Sequence, residues 1–475
     1  MNTWDAVETA EKLRTREVSR REVVDAAIAR AEARGSLGAI VTETFARARS
    51  RCDGATGPLA GVPTFIKDLV HVEGVGIGWG TRAVRGVVST RSDPAVRVIE
   101  SLGLVCLGKS ATPELGMTAT TEPLERAPCR NPWDQTRSSG GSSGGAAALV
   151  ASGVVPIAHA SDGGGSIRIP ASSTGLVGLK PTRGRLDMEG SQLLPVNVAV
   201  HGVLTRTVRD TIAFWSAIDA STRPARPIGA VPSAPRTRLL IAAYVDSPLG
   251  RPVAPDVHRA VHDAARACEA LGHHVELVPC PFPARVVEDF VRYWALLAWL
   301  QHRLGRVLVH SSFDSDRLEP WTRGLSRWCE REPRPMAAAT RRLRHLTREH
   351  AEVMARYDVL LSPVIAHPPP LLGHFATDAP FELALGRNAG GDGLIGFEAG
   401  QRRATTRLLD GEYPKVTSIF PTHVDIEAVM ETGALIEAVK RVALVAERNT
   451  PVRLRFSDGQ VAIEAGTGDD AQASE

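Results

Sequence analysis

The sequence predicts an α/β fold, and three observations lead to this prediction. The chain has 475 residues, of which 43% are hydrophobic, enough to bury a sizeable core. Between residues 61 and 181, short apolar runs such as "GVPTFI", "LVCLG" and "VVPIAHA" alternate with helix-like stretches such as "DPAVRVIESLG" and "GGAAALVASG". The segments end in glycine-rich turns, and this alternation is typical of α/β domains with ligand chemistry at strand ends.

The flanking regions add helices and further strands. Residues 4–33 carry apolar side chains at helical spacing, and Ser19 followed by Glu22 predicts a capping box at the start of the second helix. Helical patterns dominate residues 256–357. The runs "RLLIAAYV" and "DVLLSPVIAHPPP" on either side of that region predict two more strands.

Composition excludes several general classes of function. The 56 basic and 53 acidic residues give a net charge of +3, so no overall charge attracts the protein to nucleic acid or to an anionic membrane. The six cysteines are scattered without metal-ligand spacing, and we expect reduced thiols in a cytoplasmic protein. The charged N-terminal segment has no signal-peptide core, so no membrane partner is expected.

The stretch "SSGGSSGGAAALV" at residues 138–150 has several possible functions. A flexible linker is excluded because the stretch runs directly into an apolar helix start. A P-loop would need Lys followed by Ser or Thr after the last glycine, where this chain has Ala146. A dinucleotide-binding turn stays open as the weaker alternative, because Asp162 lies at a suitable distance but the glycine spacing is G-G-x-x-G-G.

A second glycine-rich turn, "SDGGGSIRIPAS" at residues 161–172, favours acyl transfer. Gly163, Gly164 and Gly165 offer backbone N–H groups next to the hydroxyl of Ser166. Backbone donors beside a hydroxyl nucleophile can stabilise the oxyanion that forms when serine attacks a carbonyl. The turn therefore predicts a nucleophilic serine with an adjacent oxyanion hole.

The base that such a serine requires is not decided by the residues alone. No histidine has a motif that links it to Ser166, and His159 is interpreted as structural. Lys67 interrupts the apolar run "GVPTFIKDLV". It is either an edge-strand lysine paired with Asp68 or a buried lysine whose lowered pKa lets it accept a proton, and both interpretations stay open.

The motifs "GVPTFIKD", "LGKSATPELG", "GGSSGGAAALVASG", "SDGGGSIRIPA" and "GLKPTRGR" resemble, in order and spacing, those of the amidase signature family of serine hydrolases. The resemblance extends from about residue 4 to about residue 388, and up to Arg185 it is most similar to enzymes of the 6-aminohexanoate cyclic-dimer hydrolase type. It implies the amidase signature fold, a large mixed β-sheet flanked by helices on both faces and incomplete at its C-terminus.

The resemblance also implies the site residues. Ser166 matches the nucleophile, Ser142 the relay serine that follows a cis peptide, and Lys67 the general base. The N–H groups of residues 163–166 match the oxyanion hole. The residues that match supports of the loop are Asp162, Arg168 and Ser143.

The expected activity is cleavage of the C–N bond of a carboxylic amide through an acyl-enzyme. The partners would be a small-molecule amide and water, and the resemblance implies no metal or organic cofactor. We expect residues 117–130 and 290–345 to line the substrate pocket.

The C-terminal region resembles a different family. From about residue 391, segments such as "GDGLIGFEAG" and "VRLRFSDGQVAIEAG" are similar to parts of the bacterial DNA polymerase III β sliding clamp. The predicted domains are therefore a truncated amidase domain at 1–388 and an α+β clamp-like fragment at 389–475.

Residues 391–475 contain 14 acidic and 9 basic residues, a net charge of −5, which disfavours nucleic acid as a partner. A DNA-clamp-related module and an inactive fusion are the alternative hypotheses.

Overall fold

The structure, a computed structural model, describes residues 4–375 except 187, 225, 230 and 232–236, residues 377 and 378, and the backbone of five strands between 394 and 474. By its contacts the chain divides into two units, Met1–Leu408 and Leu409–Glu475. The predicted boundary at 388/389 falls among residues outside the described ranges and stays a prediction.

Nine strands in residues 40–361 form three groups of three. The first has the order β1-β3-β2, with β2 parallel and β1 antiparallel to β3, the second is the antiparallel group β4-β6-β5, and the third is the parallel group β8-β7-β9. Parallel and antiparallel pairs therefore both occur, as the predicted mixed α/β fold requires. The strands are β1 Ile40–Glu43, β2 Pro63–Lys67, β3 Val105–Ser110, β4 Ile157–Asp162, β5 Val177–Gly178, β6 Val200–Thr205, β7 Leu240–Ala243, β8 His274–Leu277 and β9 Val359–Leu361.

Helices surround these strands. The predicted capping box is present at the start of α2, where the Ser19 side chain accepts from the N–H of Glu22 and the Glu22 side chain accepts from the N–H of Ser19. No helix of the described residues is both long and apolar enough to cross a membrane. The helices are α1 Ala6–Arg14, α2 Arg20–Ala33, α3 Phe45–Arg51, α4 Pro94–Ser101, α5 Gly144–Ala151, α6 Arg168–Thr174, α7 Val208–Thr222, α8 Pro255–Ala270, α9 Ala284–Leu308, α10 Pro320–Arg331 and α11 Pro333–Met354.

Strand β2 is buried on both faces. Successive side chains of a strand point to opposite sides, and Phe65 packs in one apolar cluster with α2 and α5 while Ile66 packs in another with α4 and α7. All five residues of β2 are buried. This double burial explains why the strand reads as a continuous apolar run rather than as an alternating one.

A buried ion pair joins β3 to the segment after β2. Lys109 Nζ lies 2.8 Å from Asp68 Oδ1 and donates to the carbonyl of Val70, also at 2.8 Å. Both charged side chains are fully buried. Asp68 therefore pairs with Lys109 and not with Lys67, so the interpretation of Lys67 as an edge-strand lysine paired with Asp68 is wrong.

The C-terminal strands form two further groups. Strands β10 Leu394–Ala399 and β11 Arg402–Arg407 are an antiparallel pair. Strands β12 Arg453–Ser457, β13 Gln460–Ala465 and β14 Ala473–Ser474 form an antiparallel sheet, in which Ser457 pairs with Gln460. The predicted clamp-like fragment otherwise lies outside the described residues.

We predict that Lys109→Met lowers the free energy of unfolding by about 3 kcal/mol, because it leaves the buried Asp68 carboxylate without its charged partner. Urea unfolding followed by tryptophan fluorescence measures the change. The double variant Lys109→Met/Asp68→Leu is the control, since removing both charges should restore part of the loss. A single variant as stable as the parent protein would contradict a structural role for the pair.

Candidate active site

The side chain of Lys67, at the end of β2, lies among serine hydroxyls. Lys67 is fully buried, and its Nζ is 2.8 Å from Ser142 Oγ, 2.9 Å from Ser143 Oγ and 3.1 Å from Ser161 Oγ. Ser161 belongs to β4, whereas Ser142 and Ser143 belong to the serine–glycine stretch. Through these contacts Lys67 links β2 and β4 to the loop that precedes α5.

The surroundings of Lys67 favour its neutral form. Burial lowers the pKa of Lys67 to about 7, and the negative charge of Asp162 opposes this lowering. The Ser143 hydroxyl donates to the backbone carbonyl of Ser161 at 3.3 Å, so its oxygen is left to accept from Lys67. A neutral amine also has a lone pair, and the Ser142 hydroxyl, 2.8 Å away, is placed to donate to it.

The serine–glycine stretch packs directly against neighbouring backbone. The Gly141–Ser142 peptide is cis. A Cβ at Gly141 would overlap the backbone of Thr120, and a Cβ at Gly145 would overlap the backbone of Ala111. Glycine at these two positions allows the loop to approach close enough for Ser142 to reach Lys67.

The loop after β4 is organised by Asp162. One carboxylate oxygen accepts from the N–H of Gly165 at 2.8 Å and the other from the N–H of Ile167 at 3.1 Å. Arg168 donates to both oxygens at 2.9 Å. Burial raises the pKa of Asp162, but the hydrogen bonds from Arg168 and the two N–H groups outweigh burial, so the pKa lies below its usual value.

The four backbone N–H groups predicted to form an oxyanion hole are not all free to bind a substrate. The N–H of Gly165 is engaged by Asp162, so in this structure it is not free for a substrate. Within the described residues, the N–H groups of Gly163, Gly164 and Ser166 have no hydrogen-bond acceptor. Of the four N–H groups predicted to form an oxyanion hole, that of Gly165 therefore holds the loop in this structure, and the oxyanion hole itself stays a prediction.

Ser166 lies next to the serine–glycine stretch. Its backbone carbonyl accepts a 3.3 Å hydrogen bond from the N–H of Ser143, which ties the two loops together. In the part of the chain that the structure describes, the hydroxyls of Ser142 and Ser166 do not hydrogen-bond to each other. The predicted contact between Lys67 and Ser142 is thus present, whereas the loop of Ser166 is tied to the serine–glycine stretch through the backbone of Ser143.

Two buried histidines, His159 and His201, form a hydrogen-bonded chain that begins at the backbone N–H of Lys67. His159 Nδ1 accepts from the backbone N–H of Lys67 at 3.2 Å, so the proton of the neutral ring is on Nε2, which donates to His201 Nδ1 at 3.0 Å. Burial lowers the pKa of both rings, that of His201 to about 4. The sequence did not predict His201 or the contact of Ser161 with Lys67, because both contacts form between strands that are distant along the chain and neither residue has a motif.

A cavity of about 460 Å³ opens beside Ser166. Gly141 and Gly164 also border it, and the segments 117–119 and 290–294 contribute to its wall, within the expected pocket regions. Phe375 and Thr377 come from outside those regions. No three His, Cys, Asp or Glu side chains are grouped as metal ligands anywhere in the described ranges.

Comparison with known proteins identifies the family. A family model described as Amidase matches residues 22–385. The chain belongs to the amidase family. AmiC of Mycobacterium tuberculosis, which is named as an amidase, is 45% identical over 380 residues, covering 78% of this chain and 80% of AmiC. The 6-aminohexanoate-cyclic-dimer hydrolase of Paenarthrobacter ureafaciens is 38% identical over 294 residues, covering 58% of this chain and 59% of that enzyme.

Solved structures of amidases have the same fold. A 6-aminohexanoate cyclic dimer hydrolase in complex with substrate superposes with a TM-score of 0.71 at 29% identity, covering 80% of this chain and 83% of that one. A bacterial aryl acylamidase of the amidase signature family superposes with a TM-score of 0.70 at 27% identity, covering 78% of this chain and 81% of that one. The predicted amidase signature fold is confirmed, and these relationships support hydrolysis of amides.

The end of this amidase-family chain matches a second family model. Residues 417–475 match the model described as DNA polymerase III beta subunit, C-terminal domain. This match supports the predicted clamp-like tail. The hypotheses of a DNA-clamp-related module and of an inactive fusion stay predictions.

We predict that the buried Lys67 makes stability depend on pH. The pKa of Lys67 falls from 10.5 to about 7 on folding, so between these values the unfolded chain binds a proton that the folded chain does not. The free energy of unfolding should therefore rise with pH across this window, by up to ~1.4 kcal/mol per pH unit.

Lys67→Met removes this titration, and urea unfolding of both proteins from pH 7 to pH 10 measures the difference. The two stability curves should diverge as the pH rises, with the parent protein gaining relative to the variant. Parallel curves would show that the folded protein keeps Lys67 protonated.

Proposed function

We propose that this amidase-family chain hydrolyses a carboxylic amide through an acyl-enzyme on Ser166, with Ser142 as proton relay and Lys67 as general base. The observation that carries the proposal is the fully buried Lys67, whose Nζ lies 2.8 Å from Ser142 Oγ beside the cavity that Ser166 lines. A lysine with a pKa of about 7 is substantially neutral at physiological pH and can accept a proton.

The first half of the reaction forms the acyl-enzyme. Neutral Lys67 takes the hydroxyl proton of Ser142, and Ser142 Oγ takes the proton of Ser166 as Ser166 Oγ bonds to the amide carbonyl carbon. This transfer requires the Ser166 hydroxyl to come within hydrogen-bond reach of Ser142 Oγ. The backbone carbonyl of Ser166 accepts from the N–H of Ser143, which holds the two loops together.

The tetrahedral intermediate then collapses. Its oxyanion accepts from the N–H groups of Gly163, Gly164 and Ser166, and each such donor contributes about 3 kcal/mol in related acyl transfers. The C–N bond breaks as the nitrogen takes the proton of Ser142, which regains one from protonated Lys67. Water then attacks the ester by the same relay, and the carboxylic acid leaves.

Three residues act by positioning the reacting groups. Asp162 and Arg168 hold the loop that carries Ser166, because Asp162 accepts from two loop N–H groups and from the Arg168 side chain. Ser143 connects the relay loop to Lys67 and to the carbonyl of Ser166.

The substrate would be a small-molecule amide. The six cysteines, all within the described residues, are unpaired, which supports a cytoplasmic location.

We predict that Ser166→Ala abolishes amide hydrolysis, with a loss of at least roughly 10³-fold in kcat/KM, because no other group can form the acyl-enzyme. Ammonia or amine release measures the rate. Ser173→Ala is the matched control, since this serine lies in the neighbouring helix α6 and has no proposed role. Activity that survives Ser166→Ala would rule out the nucleophile.

We also predict the pH dependence of hydrolysis. Only neutral Lys67 can accept a proton, so kcat/KM should rise with pH through an apparent pKa of about 7 and fall roughly tenfold per unit below it. Initial rates from pH 5.5 to pH 9 test this. A flat profile between pH 6 and pH 8 would contradict Lys67 as the base.

A further inference from the structure

The cavity beside Ser166 is walled by two helices that present apolar side chains to it. Helix α9 contributes Phe290 and Trp294, four residues apart, and α10 contributes Trp321, Leu325 and Trp328 at spacings of four and three. These spacings place each set on one face of its helix. Each helix therefore contributes a continuous apolar face to the wall, beside the loop residues that complete the lining.

The aromatic rings lie against the backbone of the loop that carries Ser166. A Cβ at Gly164 would lie 2.8 Å from Phe290 Cζ, so this ring touches the glycine backbone. Phe290 and Trp294 stack with ring centroids 5.5 Å apart, and Trp294 Nε1 donates to the carbonyl of Met117 at 2.9 Å. The rings are thus held in place before substrate binds.

The cavity has no net charge along its described lining. Its charged lining residues there are Glu288 and Arg292, one turn apart on α9, and their side chains are 3.5 Å from each other. A charged substrate group entering this apolar space would lose its hydration without gaining an unpaired opposite charge. The lining therefore favours an uncharged ligand.

The volume of the cavity favours ligands that are larger than the smallest amides. About 460 Å³ is far more space than a molecule as small as acetamide fills. Water in an apolar enclosure is readily displaced by apolar groups, so affinity should grow with the apolar volume of the ligand.

We propose that the cavity binds an uncharged amide with one bulky apolar group, aromatic or branched aliphatic, on either the acyl or the amine side. The inference rests on the proposed function, because the cavity is a substrate site only if Ser166 attacks the amide. It adds the substrate class, which the catalytic residues themselves do not specify.

The test compares four amides on the full chain: acetamide, phenylacetamide, N-benzylacetamide and 4-carboxyphenylacetamide. We expect kcat/KM for phenylacetamide or N-benzylacetamide to exceed that for acetamide by roughly 30-fold or more, as burial of a phenyl group predicts. The better of the two identifies the side of the amide that enters the cavity. The carboxylated compound should be a worse substrate than phenylacetamide, and equal rates for acetamide and both phenyl compounds would overturn the inference.

Substitution of the wall supplies a second test. Trp328→Ala should lower the ratio of kcat/KM for the preferred phenyl compound over acetamide by roughly tenfold, because it removes a ring from the cavity. Phe290→Leu, which keeps a similar volume, tests the wall if Trp328→Ala does not fold. Trp133→Ala is the matched control, because Trp133 is 73% exposed and does not line the cavity. An unchanged ratio in both wall variants would contradict the inference.

Binding without turnover separates this inference from the proposed function. The Ser166→Ala variant should bind the preferred phenyl compound roughly 30-fold more tightly than acetamide, measured by quenching of tryptophan fluorescence. Equal, weak binding of both ligands by this variant would overturn the substrate class even if Ser166 is the nucleophile. Selective binding combined with hydrolysis that survives Ser166→Ala would overturn the mechanism and leave the substrate class standing.

Discussion

The burial of the Lys67 ammonium group is the constraint on which the site depends. A lysine in an apolar core is unfavourable when charged, and this one has three serine oxygens within 3.1 Å in place of a carboxylate partner. Its pKa is consequently low, and its position requires β2, β4 and the serine–glycine stretch to meet at one point. The same packing that removes water from Lys67 lowers its pKa to about 7, as its proposed role as a base requires.

A second buried lysine, Lys109, has a different kind of partner from Lys67. Lys109 is as deeply buried as Lys67, but it lies 2.8 Å from the Asp68 carboxylate and joins β3 to the chain after β2. One lysine is thus held by an ion pair, whereas the other is surrounded by neutral hydroxyls. Both side chains are fully buried, so the two lysines differ in their partners and not in their exposure.

The substrate side of the site is built from other parts of the chain. The proposed oxyanion donors and Ser166 follow β4, whereas α9 and α10, which contribute four aromatic side chains to the cavity wall, come more than 100 residues later. Gly164 is where the two meet, since its lack of a side chain lets Phe290 lie on the loop backbone. Substitutions in α9 and α10 can therefore change which substrates bind without changing the loop that carries Ser166.

The amino-acid sequence alone determined the local elements and supplied the prediction of the reacting groups. The capping box at Ser19, the buried strand before Lys67 and the helix after Gly145 depend on neighbouring residues, and the glycine–serine motifs are local as well. Tertiary structure alone decided the partners: Lys109 for Asp68, His201 for His159, and Asp162 for the N–H of Gly165. Pattern and spacing report only on short separations along the chain, while contacts such as those of Lys67 with Ser142 and Ser161 form only when distant strands and loops pack together.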